Sequence, residues 1–420
     1  MPGNMSDAEK VARKRLAQGA ALAGAAGAGY LAARVHSVFA GLSERRPPFK
    51  WKPERGRTVF LKGANVVDVK RGQVLKERGV LYRDGQITGL VATRDLEKVE
   101  ADSVFDYRGR FIIPGLINCH AHALMPGAGL IDLPVLLSLK RQAVRNMEEC
   151  AFSGVTTVRD ASGVAGLLRE LSDAVENHRV LGPRIVGCGP CLKPRGGYPE
   201  FSRKLPGKAA EKAGDTCLYV NSPESGREGV RRAVEQGARY IKVFLDDVSL
   251  FYGARPLPVI DDESLRAVLD EAHRLGRRVA AHQSLLSGFR RAVRLGIDDF
   301  EHLPVDGLLE APDIEAYMEG DHHCTPTACV SMALGIAREG HPLGDDKMVA
   351  DMQAERRRLT RDLQPVVAEL PVIRSNARMV RMFESGKAER SLAARSLSDP
   401  ERYSRSFNNR NPNIHAMYEA

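Results

Sequence analysis

The sequence predicts an α/β protein: a TIM-like (β/α) barrel preceded by a small N-terminal β-sandwich-type unit. After Arg110, seven short apolar runs alternate with amphipathic helical patterns, as expected for parallel strands linked by helices. Residues 57–110 instead show short β-like runs punctuated by turns, and Asp84-Gly85 is typical of a tight hairpin. The length of 420 residues leaves room for both units.

The predicted barrel occupies residues 111–420. Its strands are Phe111–Ile117, Val155–Arg159, Arg184–Val186, Tyr240–Leu245, Arg278–Ala281, Asp299–His302 and Cys324–Cys329. Helical patterns between them include Val135–Cys150, Arg227–Gln236, Ser264–Leu275 and Gly288–Leu295. Several of these patterns are followed by a glycine, which favours a helix C-terminus.

Composition excludes several classes of protein. Hydrophobic residues make up 43% and charged residues 27%, which is ordinary for a globular chain and excludes wholesale disorder and a polytopic membrane protein. The net charge of +9 comes from basic residues scattered among acidic ones, so no nucleic-acid partner is expected. The seven cysteines are irregularly spaced, which argues against a disulfide framework and favours the cytoplasm.

Residues 1–56 form an N-terminal extension with two open interpretations. Leu16–Ala33 carries no charge, is rich in Ala and Gly, and follows a basic cluster at Lys10–Arg15. This order is typical of a signal peptide or a weak membrane anchor, which would mean export or membrane association. Because Ala and Gly contribute little transfer energy, a soluble Ala-rich helix is the alternative. The proline-containing stretch Arg45–Gly56 is interpreted as a linker.

Side chains that can bind metal lie at the ends of four predicted strands. His120 and His122 are two residues apart, so on a strand their imidazoles project to the same face. Lys242 interrupts an apolar strand, while His282 and His302 each close one. Active sites of (β/α) barrels lie at the carboxyl ends of the strands. The sequence therefore predicts a metal site built from these five residues.

These motifs and their order resemble the amidohydrolase superfamily, in particular its imidazolonepropionase-like and prolidase-like branch. The resemblance runs from about Arg57 to the end of the chain. The matching segments are Pro114–His122, Gly154–Asp160, Gly182–Ile185, Tyr240–Val243, Ala281–Gln283 and Glu301-His302.

The resemblance implies a metal-dependent hydrolase that cleaves C–N bonds of small amides, cyclic amides or dipeptides with metal-activated hydroxide. It implies two divalent ions, usually zinc. His120 and His122 would bind one ion, and His282 with His302 the other. Lys242 would bridge the ions as a carbamate, because a buried neutral amine can react with carbon dioxide.

One expected feature of the family has no match. Relatives carry a general-base Asp at the end of strand eight, whereas here a helical pattern runs to Ala420, so the general base is unknown and the barrel is expected to be truncated, without its eighth strand. Unpaired strand edges would then allow oligomers to form. A catalytically inactive binding or scaffold protein is the alternative function.

Further residues bear on the site. Asp246 follows Lys242 closely and is interpreted as a loop charge on the barrel rim, with an approach to the site as the alternative. Tyr198 stands where relatives often have His. Arg195 or Arg203 is a candidate for binding a substrate carboxylate, with an ordinary exposed arginine as the alternative.

Overall fold

The computed structural model describes residues 55–124, 133–199, 217–248, 256–327 and 416–417, with backbone alone at 133–139. The predicted N-terminal apolar segment lies outside these ranges, and of the helical pattern predicted to run to Ala420 only residues 416–417, which are helical, fall within them. No helix within the described ranges is long and apolar enough to cross a membrane.

The N-terminal unit is a five-stranded sheet. Its elements are β1 (Thr58–Asp68), β2 (Gln73–Arg83), β3 (Gln86–Val91), a 3-10 helix (Thr93–Lys98), β4 (Ser103–Asp106) and β5 (Phe111–Ile112). The strand order is β3-β2-β1-β4, with β5 also paired to β1. Asp84 and Gly85 form the predicted two-residue turn with φ values of 52° and 76°, as a type I′ hairpin requires. The sandwich itself stays a prediction, because the described strands form this one layer.

Close packing fixes a glycine inside this sheet. A Cβ at Gly79 would lie 2.2 Å from the ring of Phe60, which is 1% exposed. The missing side chain lets Phe60 fill the space between the sheet and Leu96 of the 3-10 helix.

The rest of the described chain is an α/β arrangement with two parallel sheets. A three-stranded sheet contains β6 (Leu116–Ala121), β7 (Val155–Asp160) and β8 (Arg184–Gly187). A six-stranded sheet has the order β10-β9-β11-β12-β13-β14. Its strands are β9 (Cys191–Lys193), β10 (Cys217–Tyr219), β11 (Ile241–Phe244), β12 (Val279–His282), β13 (Asp299–Glu301) and β14 (His323–Thr325). The backbone N–H of Arg239 donates to the carbonyl of Gly187 at 2.8 Å, which links the two sheets.

Six helices follow the parallel strands within the described ranges. They are α1 (Leu133–Phe152), α2 (Ala165–Glu176), α3 (Pro223–Glu235), α4 (Asp262–Arg274), α5 (Leu286–Leu295) and α6 (Ala311–Met318). Local sequence sets their ends: Ser222 caps α3 in a capping box, Asp261 caps α4, and Gly296 ends α5 with a φ of 80°. The helices pack on a core in which Phe289 stacks on Tyr317 and the ring of Phe300 meets both at an angle.

The predicted strand Phe111–Ile117 is divided in two. Phe111 and Ile112 pair with β1 of the N-terminal sheet, whereas β6 starts at Leu116 and pairs with β7. Pro114 lies between them and has no backbone N–H to donate to a sheet. Gly115 follows, where a Cβ would lie 2.1 Å from Oγ1 of Thr156. The chain therefore changes sheets directly before the metal-site strand.

Candidate metal centre

The parallel strands bring all four predicted imidazoles together. His120 lies on β6 and His122 directly follows it, while His282 ends β12 and His302 follows β13. The ring centroids form a continuous row: His122 to His120 is 5.3 Å, His120 to His302 is 5.1 Å, and His302 to His282 is 4.6 Å. Residues up to 182 positions apart in the sequence (302 − 120 = 182) thus share one site.

At one end of the row, His282 and His302 direct ring nitrogens at each other. Nδ1 of His282 lies 2.9 Å from Nε2 of His302. The opposite nitrogen of His282, Nε2, donates to the Asp246 carboxylate at 3.0 Å, which leaves the lone pair of His282 on Nδ1. These two nitrogens are the ones that would bind a metal ion in place of their contact with each other.

His302 has an unusual backbone. Its φ is 85°, in the left-handed region that non-glycine residues seldom occupy, and Thr327 has a φ of 49°. The backbone N–H of His302 donates to the carbonyl of Thr325 at 2.9 Å, and its Nδ1 contacts Oγ1 of Thr327. These contacts from β14 and the residues after it hold His302 in this conformation and leave its Nε2 facing His282.

At the other end of the row, Nδ1 of both His120 and His122 contacts a protein oxygen, as Nδ1 of His302 does. The Glu301 carboxylate contacts Nδ1 of His120, and the carbonyl of Ser162 accepts from Nδ1 of His122 at 3.3 Å. Nε2 is therefore available on both rings. Desolvation lowers the pKa of His120, although the Glu301 carboxylate opposes this change. The pKa of His122 is also lowered, mainly by desolvation and to a smaller extent by repulsion from His120, although part of the His122 side chain is exposed to solvent. Both effects favour neutral imidazole, the form that binds a metal.

Lys242 lies on β11 and is buried, with 1% of its surface exposed. Its Nζ has no hydrogen-bond partner among the described residues, and the carboxylate of Glu301 is 3.7 Å away. Burial lowers the pKa of Lys242, while Glu301 opposes this change. A buried amine with unused hydrogen-bonding capacity is a group that carboxylation would convert into an oxygen ligand.

The buried Glu301 carboxylate contacts residues from three other strands. One oxygen contacts His120, and the other contacts Nη1 of Arg159. Burial alone raises the pKa of this carboxyl group, but Lys242, His120 and Arg159 outweigh burial and hold the pKa well below its usual range. Arg159 also donates to Asp299 at 2.9 Å and lies 3.8 Å from the centroid of the Tyr240 ring.

Asp160 fixes the loop that carries His122. Its carboxylate accepts the backbone N–H of Ala123 at 2.6 Å and that of Ser162 at 3.2 Å. Burial raises the pKa of Asp160 to about 7, although these two hydrogen bonds oppose the change. Its backbone carbonyl accepts the Tyr240 hydroxyl at 2.7 Å, which connects β7 to the residue before β11.

An aromatic wall borders the His282 side of the site. The ring of Tyr198 stacks on His282 with centroids 4.5 Å apart and an interplanar angle of 18°, and Phe244 lies 5.4 Å from the same imidazole. The buried Lys193 donates to the carbonyls of Gly197 and Pro199, the two neighbours of Tyr198 in the chain. Arg195 is exposed and lies 4.6 Å over the ring of Tyr219, whereas Arg203 falls outside the described residues.

The ring nitrogens lie in a row and do not form a complete coordination shell around one point. In the part of the chain that the structure describes, no three His, Cys, Asp or Glu side chains are placed to hold one ion. The chemistry of the set nevertheless fits divalent metal. Each of the four imidazoles has one nitrogen in contact with a protein oxygen, and the remaining nitrogens of His282 and His302 face each other. Carboxylation would give the buried Lys242 an oxygen donor.

The interpretation of Asp246 as a rim charge was wrong. Its side chain is buried and accepts two hydrogen bonds, one from Nε2 of His282 and one from the backbone N–H of Ser284 at 2.7 Å. The roles of Glu301 and Arg159 were not predicted either, although both lie inside recognised motifs. Alternation along β13 places Glu301 on the face opposite Phe300, and this was the available indication.

Residues 111–371 match the sequence model described as the amidohydrolase family. Ochratoxinase of Aspergillus niger is 24% identical over 253 residues, which cover 55% of this chain and 52% of that enzyme. Imidazolonepropionase of Methylobacterium nodulans is 34% identical over 118 residues, which cover 26% of this chain and 28% of that protein. The chain thus spans about half the length of the ochratoxinase that it matches.

Solved structures share the fold. A Xaa-Pro dipeptidase with methionine bound in its active site superposes with a TM-score of 0.58 at 17% identity, covering 86% of this chain and 77% of that chain. The structure of A. niger ochratoxinase gives a TM-score of 0.56 at 20% identity, covering 72% and 71%. At these identities the likeness is one of fold.

Proposed function

Because the chain belongs to the amidohydrolase family, we propose that it is a metal-dependent hydrolase of C–N bonds in small amides, cyclic amides or dipeptide-like molecules. The observation that carries the proposal is the row of four imidazoles beside the buried Lys242. The parallel strands also support a (β/α) barrel, since β6 to β8 and β11 to β14 pair in chain order.

The residues of the row would divide between two ions. His120 and His122 would bind one ion through their Nε2 atoms, and His282 and His302 the other through Nδ1 and Nε2. Lys242, once carboxylated, would be the fifth metal-binding residue. Two divalent ions, expected to be zinc, would supply a water ionised near neutral pH and a Lewis acid for the scissile carbonyl.

The chain's own groups would prepare this chemistry before any substrate arrives. Asp246, Glu301 and the Ser162 carbonyl each hold an imidazole in one tautomer, so the donor lone pairs are fixed in advance. Tyr198 and Phe244 exclude water from one side of His282. Among the described residues, we assign none as the group that protonates the leaving nitrogen.

The substrate class rests on the names of the relatives. The proteins that resemble this chain in sequence or in fold include an ochratoxinase, an imidazolonepropionase and a Xaa-Pro dipeptidase. We therefore choose Xaa-Pro dipeptides, ochratoxin and imidazolonepropionate as the first substrates to test.

The decisive experiment combines metal analysis with hydrolysis of these substrates. The purified full chain, supplied with zinc and bicarbonate, is expected to retain about two equivalents of metal and to hydrolyse one class. His120→Asn should lose metal and activity. His178→Asn is the matched control, because His178 is exposed, lies outside the row, and has a φ of 56° that Asn tolerates.

Two outcomes would contradict the proposal. Full activity of His120→Asn would remove the metal-dependent mechanism. A wild-type chain that binds no metal and hydrolyses none of the substrates would favour the binding or scaffold role.

A further inference from the structure

The carboxylate of Glu301 joins three elements of the proposed metal centre. It lies on β13, is fully buried, and contacts His120 from β6 through one oxygen. Its other oxygen contacts Arg159 from β7 and lies 3.7 Å from Nζ of Lys242 on β11. Glu301 therefore touches two of the five predicted metal-binding residues without itself being one of them.

Both oxygens of Glu301 are engaged, so this carboxylate is not placed to bind a metal or a substrate. Arg159 is held from three sides, by Glu301, by Asp299 at 2.9 Å and by the ring of Tyr240. Arg159 therefore fixes the position of the Glu301 carboxylate, and this position directs the second oxygen of Glu301 at His120.

This contact decides which nitrogen of His120 carries the proton. One Glu301 oxygen accepts from Arg159, and an ionised carboxylate is an acceptor only, so His120 offers Nδ1–H to the other oxygen. The lone pair then lies on Nε2. With Nδ1 protonated and held, the ring cannot exchange tautomers or rotate without breaking a buried, charge-assisted hydrogen bond.

We propose that Glu301 is a positioning residue that fixes the tautomer and orientation of His120, and that it thereby sets the affinity of the site for metal. The inference rests on the proposed function, because it assigns His120 as a ligand. Glu301 is thereby added to the residues of the site, as a group that orients a ligand without binding metal itself. This role explains why its carboxylate is buried against Arg159 and Lys242.

The substitution Glu301→Gln tests this role sharply. An amide has a single acceptor oxygen, whereas Glu301 supplies one oxygen to Arg159 and another to His120. If the amide oxygen of the substituted side chain stays with Arg159, its NH2 group faces Nδ1 of His120 and draws the proton to Nε2. Zinc affinity should then fall by about 10- to 100-fold.

The matched control is Asp313→Asn. Asp313 is also a buried carboxylate held by an arginine, since Nε of Arg290 donates to it at 2.7 Å, but it lies on α6 outside the metal centre. Loss of a buried ion pair should lower the stability of both variants, whereas zinc affinity should change in Glu301→Gln alone. Affinity is measured by competition with a chromogenic chelator, beside unfolding in denaturant.

A second measurement needs no variant of Glu301. In the metal-free wild type labelled with ¹⁵N-histidine, long-range ¹H–¹⁵N spectra should show His120 as the Nδ1–H tautomer, with its signals identified through His120→Asn. An Nε2–H tautomer would overturn the inference even if Glu301→Gln failed to fold.

The outcomes separate this inference from the proposed function. If the wild type binds zinc, and Glu301→Gln binds it as tightly as Asp313→Asn does, the role of Glu301 is overturned while the metal site stands. If the wild type binds no zinc although His120 is the Nδ1–H tautomer, the proposed function fails instead.

Discussion

Nε2 of His282 lies 3.0 Å from Oδ2 of Asp246, whose side chain has no exposed surface. The other Asp246 oxygen accepts the backbone N–H of Ser284, so the carboxylate is fixed from both sides. A buried carboxylate held in this way orients an imidazole and fixes its tautomer.

Asp246→Asn should weaken zinc binding by about 10- to 100-fold while leaving the fold intact. The Asn oxygen can still accept from Ser284, but its NH2 group would then face Nε2 of His282 and move the imidazole proton to Nδ1. Chelator competition measures the loss. Asp247→Asn is the control, because Asp247 is exposed, and equal affinities in the two variants would contradict the role of Asp246.

Lys242 is expected to carry carbon dioxide as a carbamate when zinc is present. Wild-type protein incubated with ¹³C-bicarbonate and zinc should show a carbamate carbonyl resonance, because the buried amine has no hydrogen bond within the described residues that would hold it as ammonium. The resonance should be absent in Lys242→Ala. It should persist in Lys193→Arg, since buried Lys193 donates to backbone carbonyls; its loss there would refute the assignment to Lys242.

Tyr198→Ala should destabilise the protein by about 3 to 5 kcal/mol, as truncation of large buried aromatic residues does. The ring is 6% exposed and stacks on His282, so its removal leaves a cavity against the candidate metal centre. Tyr198→Phe keeps the stacked ring and should lose about 1.5 kcal/mol at most. Denaturant unfolding measures both values, and similar losses in the two variants would show that the stacked ring contributes little.

Glu148 on α1 should make the protein less stable as the pH rises. Its side chain is buried, one carboxylate oxygen has no hydrogen-bond partner among the described residues, and burial raises the pKa of Glu148 to about 7. The folded state therefore binds this proton more tightly than the unfolded state, so the free energy of unfolding decreases between about pH 4.5 and pH 7.

Glu148→Gln removes this pH dependence. The variant should match the wild type near pH 4 and exceed its unfolding free energy at pH 8 by about 1 to 3 kcal/mol. Urea titrations at both pH values measure the difference, with exposed Glu176→Gln on α2 as the control. A gain that is equal at pH 4 and pH 8 would rule out a charge effect.

Local sequence predicted the features that depend on local chemistry. The turn at Asp84-Gly85 needs only two residues with positive φ. Residues such as His282 are recognisable because they interrupt or end apolar strands. The helix Ala165–Glu176 was missed, although Leu167, Leu168 and Leu171 form its buried face.

Tertiary contacts were beyond the sequence. Asp246 and His282 are separated by 36 residues, and His120 and Glu301 by 181. Nothing in the residues around Glu301 shows that its carboxylate meets an arginine from β7, because this pairing depends on how the two parallel sheets meet. Strand pairing was also unknown for Phe111–Ile117, which was therefore predicted as one barrel strand although it is divided at Pro114.

The contact between Arg159 and Glu301 also constrains the order in which this protein can be assembled. It closes a loop of 142 residues, and contacts of such long range are slow to form because chain entropy opposes them. During synthesis, Arg159 and His120 leave the ribosome well before Glu301 does. A half-made chain thus has neither the carboxylate for His120 nor the partners His282 and His302. The candidate metal centre is therefore complete only after the second sheet has been translated, so a nascent chain that ends before β12 cannot assemble it.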